Sequence, residues 1–592
     1  MGLFSRKQYA DTIFVNGRIE TLDPDFPEAE AIAVKDGAVL ALGDTDDVEA
    51  FANRDTETVD LEGACVVPGF FTMDSSLIRD AYSAFAQPLS DRMSSGDVLD
   101  VIRRYVSKNP KAPAYLAFGY YDGLAFGENG GTEAAEGNAP AGALPREVFD
   151  AISPKKPLVV LSASGSSAYV NTAALTAAHT ALEEELKAME AAGEVRLVPQ
   201  GRSSAADAVL RTKTDEGIDL DGEYDDEYDA APDADGADET APDGAGAETD
   251  LEALRRMNPW FLFRDILPGF QYFGRDGNGV PTGRLEGPST VSQFMNLLGA
   301  FDETALAKAV VNASIGYAKK GYTTLLDGGA PDYLVRGFMS VATDLLQNGL
   351  ALQRNIVTTL VPGETDAYLA IQRMAQKETL CVECADLLSA AAVRFDIRSG
   401  EAGRPSGEDG DGDEELSAGA TLSPAFLEDY ATRSLDHGFD VLAVCDGYPA
   451  ANAALEGLGA AREKARKGRL VVRLSGLSEE EETELRDAFD TAEIPVIGEP
   501  KTPAQILSVL TGRSRHLLRA YENAGRIAVG GNADFAVLSR SPFGETEETS
   551  EDPRKIPVLY TVLAGRIVST DPADYELPSY ETFDELEGYD ED

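Results

Sequence analysis

The chain has 592 residues, 43% of them hydrophobic and 26% charged, with a formal net charge of −52. That length favours more than one domain around a large core. The acid excess leaves no basic face for a phosphate backbone, which excludes nucleic acid as a partner.

No run of about eighteen apolar residues predicts a membrane span, and residues 1–11 lack the apolar stretch of a secretory leader, so no membrane association and a cytoplasmic location are expected. The opening Met1-Gly-Leu-Phe-Ser-Arg6 carries Arg where an acylation signal requires Ser or Thr. The four cysteines, Cys65, Cys381, Cys384 and Cys445, are too few for a disulfide framework and read as thiols of a reducing compartment. Cys381-Val-Glu-Cys384 is half of a zinc-type pair, with no second pair to complete four ligands.

The acidity is uneven. Residues 215–250 hold 16 acids and no base, 401–415 hold 7 acids and Arg404, and 571–592 hold 10 acids and no base, which leaves −20 for the rest. The Ala, Asp, Gly and Pro repetition of 217–250 buries too little apolar surface to offset the entropy of ordering. Disordered acidic inserts are therefore expected at about 215–250 and 400–419, with an acidic tail at 571–592. A salt-rich cytoplasm would also favour such acidity. Closing a long loop costs entropy that grows slowly with length, so exchanging 217–250 for a short Gly/Ser linker should leave the melting temperature nearly unchanged.

In chain order, residues 12–22 predict strand, Asn16-Gly17 turn and strand, a hairpin signal, and 31–42 repeat the design with Asp36-Gly37. Short apolar strands are then predicted at 65–71, 115–119, 158–162, 323–327, 356–361, 391–397, 441–446 and 470–474. Helices over 171–192, 303–320 and 424–438 lie among them, and further short strands are predicted within 525–538 and 558–568. Buried strands alternating with helices predict a parallel sheet, which at this length closes as a (β/α) barrel. The β-rich ends flank it.

Six segments together resemble the amidohydrolase superfamily, in its family 3 branch that includes N-substituted formamide deformylases. They are Val15-Asn-Gly-Arg-Ile19, Val66-Val-Pro-Gly-Phe70, Tyr169-Val-Asn-Thr-Ala-Ala-Leu175, Pro281-Thr-Gly-Arg-Leu-Glu286, Gly321-Tyr-Thr-Thr324 and Ala533-Asp-Phe-Ala-Val-Leu538. The resemblance implies a TIM-like barrel at 70–524, interrupted by the acidic inserts and possessing an incomplete far end. It also implies a composite β-sandwich from 1–69 and 525–570. Its chemistry is hydrolysis of non-peptide carbon–nitrogen bonds by a metal at the barrel's C-terminal face.

The metal-holding positions depart from the family. Where the family places His-x-His after Pro68-Gly69-Phe70, this chain has Asp74 and Ser76. Its barrel lysine corresponds to Arg394, which cannot be carbamylated, and a further histidine corresponds to Val444 in Ala443-Val-Cys-Asp-Gly-Tyr448. The family's Glu-His-Ala strand falls near Arg473-Leu-Ser475, and the strand carrying its metal-binding aspartate is cut away or replaced by Ile494-Pro-Val-Ile497. The three histidines, His179, His437 and His516, all fall in predicted helices, His437 at a C-terminus where a cation suits the dipole.

Asp74, Asp327, Asp396 or Arg398, and Asp446 fall at predicted C-terminal strand ends with Arg394 nearby. They are the candidate pocket, although Asp327 and Asp446 also suit the role of capping the adjoining loops or helices. Gly274-Arg-Asp-Gly-Asn-Gly279 lacks the acids of a calcium loop and reads as a hairpin turn. Two functions are compatible with these residues. One is a degenerate, non-catalytic amidohydrolase-type binding or interaction protein without a cofactor, taking a small-molecule ligand and compatible with a homo-oligomer. The other is an active hydrolase that uses a carboxylate-bound divalent metal or a metal-free acid–base pair.

Overall fold

The computed structural model describes residues 8–90, 93–120, 124, 126, 144–163, 165, 167–191, 195–199, 208–212, 273–275, 280–298, 303–330, 332–361, 387–399, 422–465, 468–497, 502–511, 525–544 and 549–577. Both acidic inserts, the tail from 578, Cys381, Cys384, His516 and the 276–279 turn lie outside them. The chain divides into two compact units, Met1–Pro88 with Ser162–Ser166 and Phe301–Asp592, and Leu89–Leu161 with Ser167–Ala300. No described helix is long and apolar enough to cross a membrane.

The first unit contains a seven-stranded parallel sheet: Phe70–Ser75 (β1), Tyr322–Asp327 (β2), Arg354–Val361 (β3), Leu388–Arg398 (β4), Asp440–Asp446 (β5), Leu470–Ser475 (β6) and Val496–Ile497 (β7). Neighbours in space are neighbours in chain order throughout, and each pairing is parallel. An order without reversal is that of a singly wound, half-barrel sheet, with crossovers on one face.

Alternation along the strands divides the two faces. Val393, Phe395 and Ile397 of β4, Val441, Ala443 and Cys445 of β5, and Val472 and Leu474 of β6 share a core with the helices Pro424–Asp436 (α1), Tyr448–Lys464 (α2) and Glu479–Thr491 (α3). The intervening residues Ala392, Leu442 and Val471 meet Phe71, Leu326 and Ile356 in a second cluster on the opposite, inner face. With Ile497 and Met73 against it, that cluster draws on all seven strands and forms an apolar floor.

The chain ends build two further sheets in this unit. One orders Ala38–Gly43, Ala31–Lys35, Thr12–Val15 and Glu57–Asp60; the other orders Arg566–Ile567, Val558–Leu563, Phe535–Leu538, Cys65–Pro68, Arg18–Glu20 and Glu28–Ala29. Phe14, Ile32 and Val34 from the first share one core with Ile19, Val66, Phe535 and Val562 from the second. The Phe14 and Phe535 rings meet edge to face at 4.9 Å.

Three expectations from the sequence are corrected. The hairpin expected over 12–22 does not form: Thr12–Val15 pairs within the first end sheet and Arg18–Glu20 within the second. Asn16, at φ 57, turns the chain from one sheet to the other instead. By contrast Asp36 and Gly37, both at positive φ, close the expected hairpin.

The strand expected at 65–71 is two strands in different sheets, divided at Gly69. A Cβ at Gly69 would lie 2.1 Å from Thr323 Oγ1, so only glycine lets the strand pass β2 there. Finally, 115–119 and 158–162 do not join the parallel sheet; they belong to the second unit's sheet, in which Leu158–Ser162 pairs antiparallel with Ser167–Val170. The few residues between those two strands are too short for a parallel crossover.

In the second unit two of the family-like segments meet, Tyr169 pairing with Arg284. Phe273–Arg275 and Pro281–Glu286 pair antiparallel on either side of 276–279. Asn171 Oδ1 accepts from the Leu158 and Ala174 amides, while its Nδ2 donates to the Ser153 and Lys156 carbonyls. One side chain thus ties a strand end to the helix Thr172–Ala191.

Candidate functional site

The inner face changes character along the strands. Above the apolar floor, continuing the same alternation toward the C-terminal ends, come Arg394, Asp396 and Arg398 of β4, Val444 and Asp446 of β5, and Arg473 and Ser475 of β6. In register, Asp396 lies beside Val444 and Arg398 beside Asp446; Val444 lies beside Arg473 and Asp446 beside Ser475. Exposure rises outward from buried Arg394, through half-buried Asp396 and Arg473, to exposed Arg398 and Asp446.

Arg394 is the innermost charge, 4% exposed. Its Nε donates to Asp396 Oδ1 at 2.6 Å. Gly329, at φ +88, allows the side chain this depth, since a Cβ there would lie 3.2 Å from both Cδ and Nε of Arg394. Burial and ion pairing make the contact costly to break from one side only.

Asp327, at the end of β2, is buried as well. Its carboxylate accepts from the Ala330 amide, and its carbonyl accepts from Thr358 Oγ1 at 3.1 Å. Desolvation pushes its carboxyl up to about 6, opposed by the Ala330 amide, by the positive charges of Arg394 and Arg79 and by the Gly329 amide. Arg79 itself donates to the Ala163 and Gly329 carbonyls at 3.3 Å. The structure therefore brings Asp327, Arg394 and Asp396 together, and sequence reasoning missed Arg79 and Thr358, which approach from other elements.

The remaining candidates separate. Asp446 accepts from Ser475 Oγ at 3.3 Å, and its backbone carbonyl accepts from the Ser399 amide and hydroxyl. The N-cap of α2 is Gly447, with no side-chain cap. Asp74 lies in β1, its side chain outside the described residues. Ser76 lies beyond the strand as an N-cap, its hydroxyl 2.8 Å from Asp80 Oδ2. Val444 packs against the apolar floor.

His179 is buried within its helix, and His437 is the C-cap of α1, with Nδ1 2.8 Å from the Arg433 carbonyl. The two described cysteines, Cys65 and Cys445, are buried, and burial pushes both thiols up, Cys65 to about 12. Neither is a nucleophile at neutral pH. Among the described residues no three His, Cys, Asp or Glu side chains are grouped to hold a metal ion.

No family model matches the chain. The chain is 30% identical over 188 residues to the exoenzymes regulatory protein AepA of Pectobacterium carotovorum subsp. carotovorum, covering 30% of this chain and 37% of that protein. It is 26% identical over 173 residues to an N-substituted formamide deformylase of Arthrobacter pascens, covering 28% and 29%. The matched stretches thus span about a third of these curated relatives.

Among solved structures, a metal-dependent hydrolase from Pyrococcus furiosus overlaps 90% of this chain and 100% of its own, at TM-score 0.45 and 13% identity. An adenosine deaminase from Xanthomonas campestris with bound zinc overlaps 95% and 93%, at TM-score 0.40 and 10% identity.

Proposed function

We propose that this chain is an amidohydrolase-type scaffold, a (β/α) barrel with a β-sandwich from its two ends, that has lost metal-dependent carbon–nitrogen hydrolysis and binds a small molecule at the C-terminal edge of its parallel sheet. Support for the scaffold comes from the singly wound sheet and the core shared by the two end sheets, and from the partial similarity to a formamide deformylase.

The observation that carries the loss of chemistry is the buried guanidinium of Arg394, ion-paired to Asp396 and near Asp327. A guanidinium has no lone pair for a metal, and its fixed positive charge beside the Asp396 and Asp327 carboxylates opposes a second cation there. The described donors therefore do not fit zinc, which takes imidazole, thiolate or carboxylate ligands in groups of three or four. The test is elemental analysis of the purified protein with a hydrolysis panel of amides and N-substituted formamides. No stoichiometric metal and no turnover are expected; stoichiometric zinc with turnover would overturn the reading.

A second reading, an active hydrolase with an atypical carboxylate site, is favoured by one observation. A carboxyl raised to about 6 at a strand end, as at Asp327, suits proton transfer near neutrality. This reading requires turnover that falls on Asp327→Asn, Asp74→Ala or Asp446→Ala. Turnover equal to wild type in all three variants would remove its support.

A further inference from the structure

The helix Glu303–Ala318 buries Leu306, Ala307, Val310, Val311, Ile315 and Ala318 on its core side. Its opposite side exposes Lys308, Asn312 and Gly316, and Lys319 and Lys320 follow directly after the last turn, exposed as well. Steps of three and four residues place 308, 312, 316 and 319 on one line along the helix, about 16 Å long.

Among the described residues no carboxylate forms an ion pair with Lys308, Lys319 or Lys320. Lys319 and Lys320 suit the negative C-terminal end of the helix. Lys308 has no such reason to be there: it lies in the second turn, and the residues three and four positions away are Thr304, Ala305, Val311 and Asn312, none of them acidic. Between the lysines the surface is open, since a Cβ at Gly316 would meet nothing within 4 Å. In a chain carrying −52, a line of unpaired lysines attracts an anionic partner.

The same chain brings one beside it. Thr561 Oγ1 donates to the Ala318 carbonyl at 2.7 Å, and the Val568 amide donates to the Thr561 carbonyl, which leads the chain to the C-terminal end of this helix. The helical turn Pro572–Asp574 then packs against the helix, and the Tyr575 hydroxyl donates to the Ser569 carbonyl at 2.7 Å. The described chain runs on to Leu577. Residues 578–592 follow, with seven acids, no base, and Tyr580, Phe583, Leu586 and Tyr589 at every third position. A segment of that length reaches up to about 50 Å, well beyond the line of lysines. Tethering at Leu577 holds it at an effective concentration on the order of millimolar, so contacts that are individually weak are enough. Carboxylates interleaved with aromatic rings match ammonium groups carried on apolar stems.

We propose that the acidic segment 578–592 of this chain docks along the exposed lysine face of the helix Glu303–Ala318, its carboxylates on Lys308, Lys319 and Lys320. The test is zero-length carbodiimide crosslinking of the full-length protein, read by mass spectrometry, with chymotryptic cleavage within 578–592 as a second readout. At about 20 mM salt, crosslinks from 578–592 should fall on Lys308, Lys319 and Lys320 about tenfold more often than on Lys108, Lys111 and Lys155, which are also exposed. At about 0.5 M salt that preference should disappear, because surface pairs are screened.

Lys308→Glu combined with Lys319→Glu should speed cleavage by about fivefold at low salt and leave it unchanged at high salt, where the wild-type segment is already released. An unfolded variant would be cut faster under both conditions. Crosslinks spread evenly over the two sets of lysines, or cleavage indifferent to salt and to the substitutions, would overturn the proposal. So would crosslinks that join different copies in a mixture of isotope-labelled and unlabelled protein, since the occupant would then be a second molecule. None of these outcomes bears on zinc content, turnover or the edge of the parallel sheet.

Discussion

The two faces of the parallel sheet are built from the same strands and do opposite work. On the helix side Phe395, fully buried, meets Tyr430 at 5.7 Å and Phe426 at 6.4 Å between ring centroids. One residue earlier and one later, Arg394 and Asp396 face the other way and pair with each other. A strand with period-two alternation can thus contribute to stability through one row of side chains and hold charge through the other. Substitutions on the two faces should therefore differ in sign as well as size.

The largest effect is expected on the helix side. Phe395→Ala should cost about 4 kcal/mol in denaturant unfolding, because it leaves a cavity among Phe426, Tyr430 and their neighbours. A loss below about 1 kcal/mol would mean that the helices do not pack there as described.

The N-terminal end of the sheet also holds charge, but as a closed pair. Arg354 Nε donates to Asp534 Oδ2 at 2.6 Å and its second nitrogen to Oδ1 at 3.2 Å, with side chains 14% and 11% exposed. Asp534 also accepts from the Ala564 amide. Asp534→Ala should cost about 3 kcal/mol, since it leaves a largely buried guanidinium without its carboxylate. An unchanged melting curve would contradict the pairing.

At the C-terminal end the sign reverses. Asp327 titrates near 6 in the folded chain against its ordinary 3.8. Between those values the folded state holds the proton more tightly than the unfolded state, so this group makes stability fall as pH rises from about 4 to 6 and adds no further slope above that. Asp327→Asn, which keeps an acceptor for the Ala330 amide, should remove that fall and stabilise the protein at pH 7 by on the order of 2 kcal/mol. Destabilisation at pH 7 would show that its charge, through Arg394 and Arg79, outweighs its burial.

The smallest effect belongs to the surface of the helical layer. Ser423 caps α1 by accepting from the Phe426 amide at 3.3 Å, and Ser423→Ala should cost about 1 kcal/mol. A loss as large as that of Phe395→Ala would mean that the cap organises more than its own helix.

Much of this was legible in the chain. Five strands of the parallel sheet, β2 to β6, match the apolar runs expected at 323–327, 356–361, 391–397, 441–446 and 470–474, and β4 shows its two faces openly as Val393-Arg-Phe-Asp-Ile-Arg398. The features that were not legible depended on partners distant in sequence. Asn16-Gly17 has the composition of a hairpin, but the strands it joins find better partners in two different sheets. Gly69 breaks a continuous apolar run only because Thr323 occupies the space beside it. The same holds at the site: Arg394 could be placed from strand register, whereas Arg79 and Thr358 come to Asp327 from elements that no local pattern connects to it.

Whether a cation has a place beside Arg394 decides between a binding face and a metal centre, and crystals of the full-length protein grown in zinc or manganese would test this most directly. Anomalous scattering should show no metal peak within about 2.5 Å of the carboxylate oxygens of Asp74, Asp327, Asp396 or Asp446. A fully occupied peak bridging any two of them would contradict the loss of the metal and return the site to metal chemistry.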